Sequence, residues 1–257
     1  MTPVASLADT LITVPCLRDN YAFLFQSGDR VAVVDVPEAA PILSALSGHG
    51  LTLTDILLTH HHPDHIDGVG ELVAATGAAV WGAAADAHRL PPLDHALSPG
   101  DEIDVGGATA RIWDVSGHTI GHIAFVFDGV AFTGDSLMAA GCGRLFEGTA
   151  ERMHESLAQF ADLPDGTLIA SGHEYTASNL AFAASLEPDA PVIRSRVAEV
   201  ERRTAEGAPS VPSTLGTERE TNPFLRSGEH AIKAATGTIG QDDTATFAAA
   251  RRAKDAF

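Results

Sequence analysis

The segment Thr59–His65, with the sequence THHHPDH, is the feature that most constrains this chain. It collects imidazole and carboxylate side chains, the ligand types of metal sites, at short spacings. The run Asp55-Ile56-Leu57-Leu58 before it is apolar and bounded by polar residues, which is typical of a buried strand. A tag remnant is disfavoured because tags lie at chain termini. The sequence therefore predicts a metal site at the end of a buried strand.

The spacing within this segment divides its ligands into two pairs. Side chains alternate along an extended backbone, so His60 and His62 point the same way and His61 points elsewhere. Asp64 and His65 follow in the turn that opens the next predicted helix, where they can face a second centre. The arrangement predicts two adjacent metal ions, one on each pair.

Three further ligand candidates follow apolar runs later in the chain. His118, Asp135 and His173 each come directly after a glycine that ends such a run. A glycine allows a sharp turn that aims the next side chain into a cleft. A lone histidine is usually an ordinary surface residue, but this shared context after an HxHxDH motif favours ligation. A bridging carboxylate would hold two cations ~3.5–4 Å apart, and Asp135 is the best-placed candidate.

Other motifs extend this pattern along the chain. They are Asp19-Asn20-Tyr21, Gly117-His118-Thr119, Phe132-Thr133-Gly134-Asp135, Gly141 to Thr149, Gly172-His173-Glu174-Tyr175-Thr176, Thr221-Asn222-Pro223-Phe224-Leu225-Arg226 and Arg251 to Phe257. With these motifs the chain resembles the metallo-β-lactamase superfamily and, within it, glyoxalase II, the hydroxyacylglutathione hydrolases. The HxHxDH block is shared by the superfamily and indicates the fold. The other motifs belong to the family and indicate the substrate.

The resemblance implies an α/β fold, the αββα four-layer metallo-β-lactamase sandwich, over residues 1–174. A C-terminal helical glutathione-binding domain over residues 175–257 is implied to follow. Strand-like and helical runs alternate up to about Glu174, and the strand signal disappears after Tyr175. A helical packing or dimerisation element is the alternative for this last part. Its predicted helices are Ala177 to Leu186, Pro191 to Glu206 and Asp243 to Lys254.

The resemblance also implies how the ligands are shared and what they do. One ion is expected on His60, His62 and His118, the other on Asp64, His65 and His173, with Asp135 bridging both. Water between two divalent cations loses a proton near neutral pH and would attack a thioester carbonyl, with Asp64 and Asp135 as the catalytic side chains. The implied reaction converts S-D-lactoylglutathione to glutathione and D-lactate, the second step of methylglyoxal detoxification. Neither His61 nor His122 is a predicted ligand.

Residues that contact glutathione are carried over from the resemblance position by position. They are Arg144, Phe146, Tyr175, Arg251 and Lys254. The last two are three residues apart, so one helix face can present both cations to the glycyl carboxylate, although a solvated basic patch is the alternative. Arg144 stands where family members often carry Lys, and Phe146 where many carry Tyr. One hydroxyl contact to the tripeptide is therefore expected to be absent.

Composition limits the class of partner. A formal net charge of −18 argues against nucleic acid as a partner. The sequence contains no run of about eighteen apolar residues, the length needed to span a membrane. Two cysteines are too few for a disulfide framework, and Met1 to Asp9 lacks the pattern of a targeting segment. We therefore expect a cytoplasmic monomer whose partner is a glutathione thioester, attracted by the ions and a few cationic side chains.

Metal identity and three other functions stay open at this point. Mixed nitrogen and oxygen ligands suit zinc, the first expectation, but also iron and manganese. A β-lactam hydrolase would use the same ions but would normally be exported. A persulfide dioxygenase of the superfamily uses mononuclear iron, so counting ions per chain separates it. A degenerate metal-binding module whose helical tail binds a protein would show no thioester turnover.

Overall fold

In a computed structural model that describes residues 7–257, the first six strands form one mixed sheet in chain order. Neighbours pair antiparallel from β1 to β3 and parallel from β3 to β6. The strands are β1 (Ile12–Cys16), β2 (Asn20–Ser27), β3 (Arg30–Val34), β4 (Asp55–Leu57), β5 (Ala79–Ala83) and β6 (His95–Leu97).

Helices connect the parallel strands of this sheet, as parallel pairing requires a crossover. α1 (Ala39–His49) follows β3, and α2 (Pro63–Ile66) and α3 (Val69–Thr76) follow β4. The sequence predicts a single helix from Asp67 to Ala75 with Asp64 and His65 in the turn before it. That prediction is wrong at its start, because both residues lie inside the short helix α2, which begins at Pro63.

Four antiparallel strands follow in the same part of the chain. They are β7 (Glu102–Val105), β8 (Ala108–Asp114), β9 (Ile123–Phe127) and β10 (Val130–Gly134), and each pairs with the next. The sequence predicts strands that correspond to β8, β9 and β10. It misses β6 and β7, which are short and have exposed residues that interrupt their apolar pattern.

Alternation along β2 explains how these layers pack. Ala22 and Leu24 belong to a core cluster with side chains of α1 and α3. Phe25 points to the opposite face, where its ring centroid lies 5.2 Å from that of Phe127 and 5.5 Å from that of Phe132. Since those two rings come from β9 and β10, the first sheet has helices on one face and the second group of strands on the other.

Contacts divide the described residues into two units. The first comprises residues 7–114 and 121–134, and the second residues 115–120 and 135–257. Each unit includes two separate segments of the chain, so the division does not fall at one position in the sequence. The predicted domain boundary after residue 174 stays a prediction. The expectation for a targeting segment concerns residues 1–9, of which 1–6 lie outside the described residues. Among residues 7–257 no helix combines the length and apolar character needed to cross a membrane.

The second unit contains two small pairs of strands and six helices. β11 (Leu137–Met138) and β12 (Gly141–Cys142) form a hairpin, and β13 (Leu168–Ser171) pairs with β14 (Ser213–Thr214). The helices are α4 (Ala150–Ala158), α5 (Thr176–Leu186), α6 (Pro191–Ala205), α7 (Leu215–Thr221), α8 (His230–Thr236) and α9 (Asp243–Asp255).

Local signals explain most but not all of this second unit. α4, α7 and α9 are preceded by the N-cap residues Thr149, Thr214 and Asp242, whose side chains each accept the backbone N–H of the third helical residue. α5, α6 and α9 lie within two residues of their predicted bounds. The prediction that no strand follows Tyr175 is wrong, because β14 pairs with β13 through residues too polar and too few to show alternation.

Candidate metal centre

The first group of ligand candidates follows β4 in the first unit. His60 is fully buried, and its Nε2 lies 3.1 Å from Nδ1 of His62. His61 turns away from this pair, with its Nδ1 2.9 Å from Oδ2 of Asp86. His61 therefore points away from His60 and His62, as the alternation of side chains along an extended backbone predicts.

Helix α2 carries the second pair of this group. His65 is fully buried, and its Nε2 lies 4.0 Å from Oδ2 of Asp64. The side-chain amide of Asn20 donates to the backbone oxygen of Asp64 over 2.9 Å and to its Oδ2 over 3.1 Å. Asn20 belongs to one of the motifs quoted above, and its position explains why an amide is needed there. It orients the carboxylate of Asp64 from a neighbouring strand.

Asp35 is a residue of this site that the sequence analysis missed. It lies just beyond β3 with a backbone φ of 56°, and it is 3% exposed. Its carboxylate accepts from the N–H and hydroxyl of Thr59 over 2.9 and 2.8 Å, and Nδ1 of His65 lies 2.8 Å from it. An acidic residue directly after the apolar run Val31 to Val34 is the signal that could have indicated it, although this run lacks the glycine that precedes Asp135.

These contacts fix the orientation of two imidazoles. The hydroxyl of Thr59 donates to Asp35, so its lone pair is available for Nδ1 of His60, 3.0 Å away. The carboxylate of Asp35 likewise takes the Nδ1–H of His65. In both rings Nε2 is then the unprotonated nitrogen, the form in which histidine binds a metal.

His122, which was not a predicted ligand, packs beside this group. Its ring stacks on that of His60 with centroids 4.5 Å apart and planes 13° apart. Gly134, at the end of β10, has a φ of 49°, and a Cβ there would lie 2.5 Å from Oγ1 of Thr59 and 2.8 Å from the ring of His122. Only glycine fits between these groups.

The second group of ligand candidates lies in the second unit. Oδ2 of Asp135 lies 3.5 Å from Nε2 of His118 and 3.3 Å from Nε2 of His173. All three residues are at most 5% exposed. One carboxylate oxygen therefore stands between two imidazole nitrogens, which is the geometry that a bridging ligand needs.

His118 is oriented by backbone from the loop after β12. Its Nδ1 lies 2.8 Å from the carbonyl oxygen of Arg144, so Nδ1 carries the proton and Nε2 faces Asp135. Gly143 permits this approach, because a Cβ there would meet the carbonyl oxygen of Asp135 at 2.0 Å and Nδ1 of His118 at 2.9 Å.

The spacing of these donor atoms fits divalent metal ions. Two nitrogen or oxygen ligands at about 2.0–2.1 Å from one tetrahedral ion lie about 3.3 Å apart. The pairs His60 with His62, His118 with Asp135 and His173 with Asp135 have separations of 3.1, 3.5 and 3.3 Å. Hydrogen bonds to the other ring nitrogen of His60, His65 and His118 are those expected around a metal-binding histidine.

Two of the predicted glutathione contacts are aromatic rings that lie against ligand candidates in the second unit. The ring of Phe146 is 5.2 Å from that of His118, and the residue is 62% exposed. The ring of Tyr175 stacks on that of His173 at 4.6 Å, with 38% exposure. Phe146 is thus not a core residue, and both rings present apolar surface beside the ligands.

The cationic contacts predicted for glutathione differ in their surroundings. Arg251 is 4% exposed, donating from Nη1 to the carbonyl of Cys142 over 2.8 Å and from Nη2 to Asp255 over 2.8 Å. Lys254 Nζ donates to the carbonyl of Ser178 over 2.8 Å. Burial first, and then the charges of Arg251 and Arg144, lower the pKa of Lys254 to about 8. Arg251 and Arg144 therefore both act on Lys254, and the roles of the three cations toward glutathione stay predictions.

Comparison with known proteins decides the family. A model described as the metallo-β-lactamase superfamily matches residues 17–173, and one described as the hydroxyacylglutathione hydrolase C-terminus matches residues 174–257. A hydroxyacylglutathione hydrolase of Cereibacter sphaeroides is 59% identical over 251 residues, which are 96% of this chain and 98% of that protein. The chain belongs to the hydroxyacylglutathione hydrolase family. Membership and the two groups of ligand candidates together indicate a divalent metal centre.

Solved structures agree on the fold. The B3 metallo-β-lactamase BLEG-1 aligns with a TM-score of 0.65 over 84% of this chain and 99% of its own, at 22% identity. A protein crystallised in a di-iron-bound form aligns with a TM-score of 0.59 over 84% of this chain and 99% of its own, at 26% identity. The predicted fold class, an α/β metallo-β-lactamase fold with a C-terminal helical region, is confirmed.

Removal of the Asp35 carboxylate tests its role in orienting His60 and His65. We expect Asp35→Ala to weaken zinc binding about 10- to 100-fold, because His65 loses its hydrogen-bond partner and the hydroxyl of Thr59 loses the acceptor that orients it toward His60. The measurement is competition of the metal-free protein with a chromophoric chelator for zinc. Asp86→Ala is the matched control, since Asp86 holds His61, which is not a predicted ligand. Equal zinc affinities for Asp35→Ala and the wild type would contradict this role.

Proposed function

We propose that this chain hydrolyses the thioester bond of S-2-hydroxyacylglutathione, releasing glutathione and a 2-hydroxy acid. The expected substrate is S-D-lactoylglutathione and the product acid D-lactate, in the second step of methylglyoxal detoxification. The observation that carries the proposal is the 59% identity to a hydroxyacylglutathione hydrolase over 96% of the chain. A cytoplasmic monomer remains the expected form.

The metal assignment is part of this proposal. His60, His62 and His118 would hold one ion, Asp64, His65 and His173 the other, and Asp135 would bridge them. The two interatomic distances at Oδ2 of Asp135 support the bridging role, and the similar protein with two irons supports the count. Zinc is the proposed ion, although ligands of this type also bind iron and manganese. When bound, the ions would bring the pKa of water toward neutrality and polarise the thioester carbonyl.

The protein's own groups would orient water and protons around that carbonyl. Asp64 is the catalytic carboxylate with access to solvent, since its side chain is 43% exposed while Asn20 holds one of its oxygens. It could therefore accept a proton from the attacking water without leaving its position. Asp135 is nearly buried and would act by holding charge in place. A thiolate is a good leaving group, so no strong general acid is required.

Binding of the glutathione part would use the predicted contacts of the second unit. Phe146 and Tyr175 offer apolar surface beside His118 and His173. Lys254 and Arg144 are cations that could meet the carboxylates of the tripeptide, and Arg251 would support them from its buried position. Association of an anionic substrate with a chain of net charge −18 depends on such local cations.

Hydrolysis of S-D-lactoylglutathione, followed at its thioester absorbance on protein of measured metal content, tests the proposed function. We expect turnover that scales with metal and two ions per chain at saturation. One iron per chain without thioester turnover would instead favour a persulfide dioxygenase. Turnover of a β-lactam but not of the thioester would favour a β-lactam hydrolase, whose likeness to this chain extends only to the fold. A metal-replete protein with no turnover of any substrate would favour a binding module.

The bridging role predicts the effect of Asp135→Ala. Loss of the shared oxygen removes a ligand from both ions and leaves their charges less screened, so metal content and turnover should fall together. Metal analysis after gel filtration and steady-state kinetics measure the two quantities. Asp128→Ala, a change of an exposed aspartate, is the control and should leave both at wild-type values. Two retained ions with a near-normal rate in Asp135→Ala would rule out the bridge.

Substitution of Lys254 tests the contact to the glycyl carboxylate. That contact is made equally in ground and transition states, so Lys254→Ala should raise KM about 5- to 30-fold with little change in kcat. Because the pKa of Lys254 is about 8, the ammonium is present below that pH and lost above it. KM of the wild type should therefore rise as the pH increases through about 8, and Lys254→Arg should remove this rise.

A short thioester that lacks the glycyl carboxylate serves as the control substrate for Lys254. Its KM should not respond to Lys254→Ala or show the alkaline rise. Equal losses on both thioesters would mean that Lys254 supports α9, through the carbonyl of Ser178, and does not bind substrate.

Phe146→Tyr tests whether this exposed ring faces the tripeptide. The added hydroxyl should gain one neutral hydrogen bond to glutathione and lower KM about two- to tenfold, with kcat nearly unchanged. Since Phe146 is 62% exposed, the melting temperature should stay at the wild-type value. Steady-state kinetics of Phe146→Tyr measure KM and kcat, and a thermal melting curve measures its melting temperature. An unchanged KM would mean that the ring borders solvent and not the substrate.

A further inference from the structure

The hairpin of β11 and β12 joins the bridging candidate Asp135 to Arg144, whose carbonyl orients His118. It starts two residues after Asp135 and ends two residues before Arg144. The N–H of Gly143 donates to the carbonyl of Ser136 over 3.1 Å, which closes the two ends of the hairpin on each other. Any shift of the hairpin would therefore move both Asp135 and the carbonyl that holds His118.

Side chains from the C-terminal helices bond to the backbone of this hairpin at each residue of its turn. The N–H of Ala140, a non-glycine residue with a φ of 54°, donates to Oε2 of Glu218 over 2.6 Å. The other bonds run from Asn222 to the carbonyls of Met138 (3.1 Å) and Gly141 (2.9 Å), and from Asn179 to the carbonyl of Ala139 (3.0 Å). The turn is thus bound through side chains that are remote in sequence.

Glu218 is the centre of this network. It is fully buried, and four donors converge on its two oxygens. Oε1 accepts from Arg196 and from the hydroxyl of Ser213 at 2.6 Å. Oε2 accepts from Ala140 at 2.6 Å and from the amide of Asn222 at 3.1 Å. An ionised carboxylate has about four lone-pair positions, so it satisfies all four donors, whereas a neutral amide cannot.

We propose that Glu218, Asn179 and Asn222 form a positioning cluster for the metal centre. The cluster fixes the hairpin, and the hairpin in turn fixes Asp135 and the Arg144 carbonyl that orients His118. This inference rests on the proposed function, because it takes His118 and Asp135 as ligands. It assigns to α5 and α7 a role in the metal centre in addition to any contact with glutathione.

Glu218→Gln separates the two halves of the carboxylate. The glutamine side chain has one acceptor oxygen, which we expect to bind the charged Arg196. Its NH2 group then faces the N–H of Ala140 and the amide of Asn222, which are also donors, so no hydrogen bond forms there. The variant therefore loses the hydrogen bonds to Ala140 and Asn222 and keeps the one to Arg196. Ser213→Ala is the matched control, because it removes one donor from Oε1 and leaves the hairpin side intact.

Three measurements distinguish positioning from general stability. Hydrogen exchange of metal-free protein should speed up at least about tenfold at residues 137–144 in Glu218→Gln, relative to the wild type and Ser213→Ala. Zinc titrated alone into the metal-free protein should bind about 10- to 100-fold more weakly. Hydrolysis of S-D-lactoylglutathione should show a lower kcat with KM within about twofold, because the substrate contacts remain. Wild-type exchange and zinc affinity in folded Glu218→Gln would overturn the inference.

Two further variants make every outcome decisive. If Glu218→Gln lacks the circular dichroism of the folded protein, Asn179→Ala replaces it, since that change frees only the carbonyl of Ala139 and keeps the pair of Arg196 and Glu218. Faster hairpin exchange with weaker zinc binding in Asn179→Ala supports the cluster, and wild-type values overturn it. His118→Ala tests the ligand assignment itself. Undiminished zinc affinity in His118→Ala would refute the proposed metal site, whereas undiminished affinity in Glu218→Gln alone refutes only the positioning cluster.

Discussion

The carboxylate of Asp35 is the interaction on which the first group of ligands depends. It is nearly buried and takes hydrogen bonds from the backbone and hydroxyl of Thr59 and from the ring of His65. Burial of a carboxylate is costly unless such bonds compensate, so these partners are needed for the fold as well as for the site. The same bonds set the tautomers of His60 and His65. The same hydrogen bonds therefore stabilise the strand ends and keep His60 and His65 in the form that binds a metal.

The second group of ligands is organised differently. Asp135 and His118 lie on loops, and backbone carbonyls and glycines set their positions. The loop geometry is held by amide and carboxylate side chains of the C-terminal helices, with Glu218 and Arg196 as a buried charged pair. A buried pair of this type adds little net stability but is specific in geometry, because each donor must meet its acceptor. Specificity of position is what metal ligands on loops require.

The ligand candidates could be picked out from the sequence because their signal is local. HxHxDH after an apolar strand, and a glycine before each of His118, Asp135 and His173, are patterns within a few residues. Asp35 has only the weaker local signal of an acidic residue after an apolar run, and Glu218 has no local signal of this kind. Asp35 contacts groups 24 and 30 residues away, and the partners of Glu218 include Arg196 and Ala140, which are 22 and 78 residues away. Family resemblance supplied the predicted substrate contacts, but not the burial of Arg251 or the lowered pKa of Lys254.

The sequence positions of the two supporting networks also set an order of events during synthesis, in which the N-terminal part of a chain emerges first. Asp35, Thr59 and the histidines up to His65 are complete early, and β10 ends at Gly134. The hairpin after Asp135 cannot be held until Asn179, Glu218 and Asn222 have left the ribosome. A nascent chain therefore has its first set of imidazoles in place well before the second, and ribosome-bound intermediates would present only four of the seven ligand candidates in their final orientation.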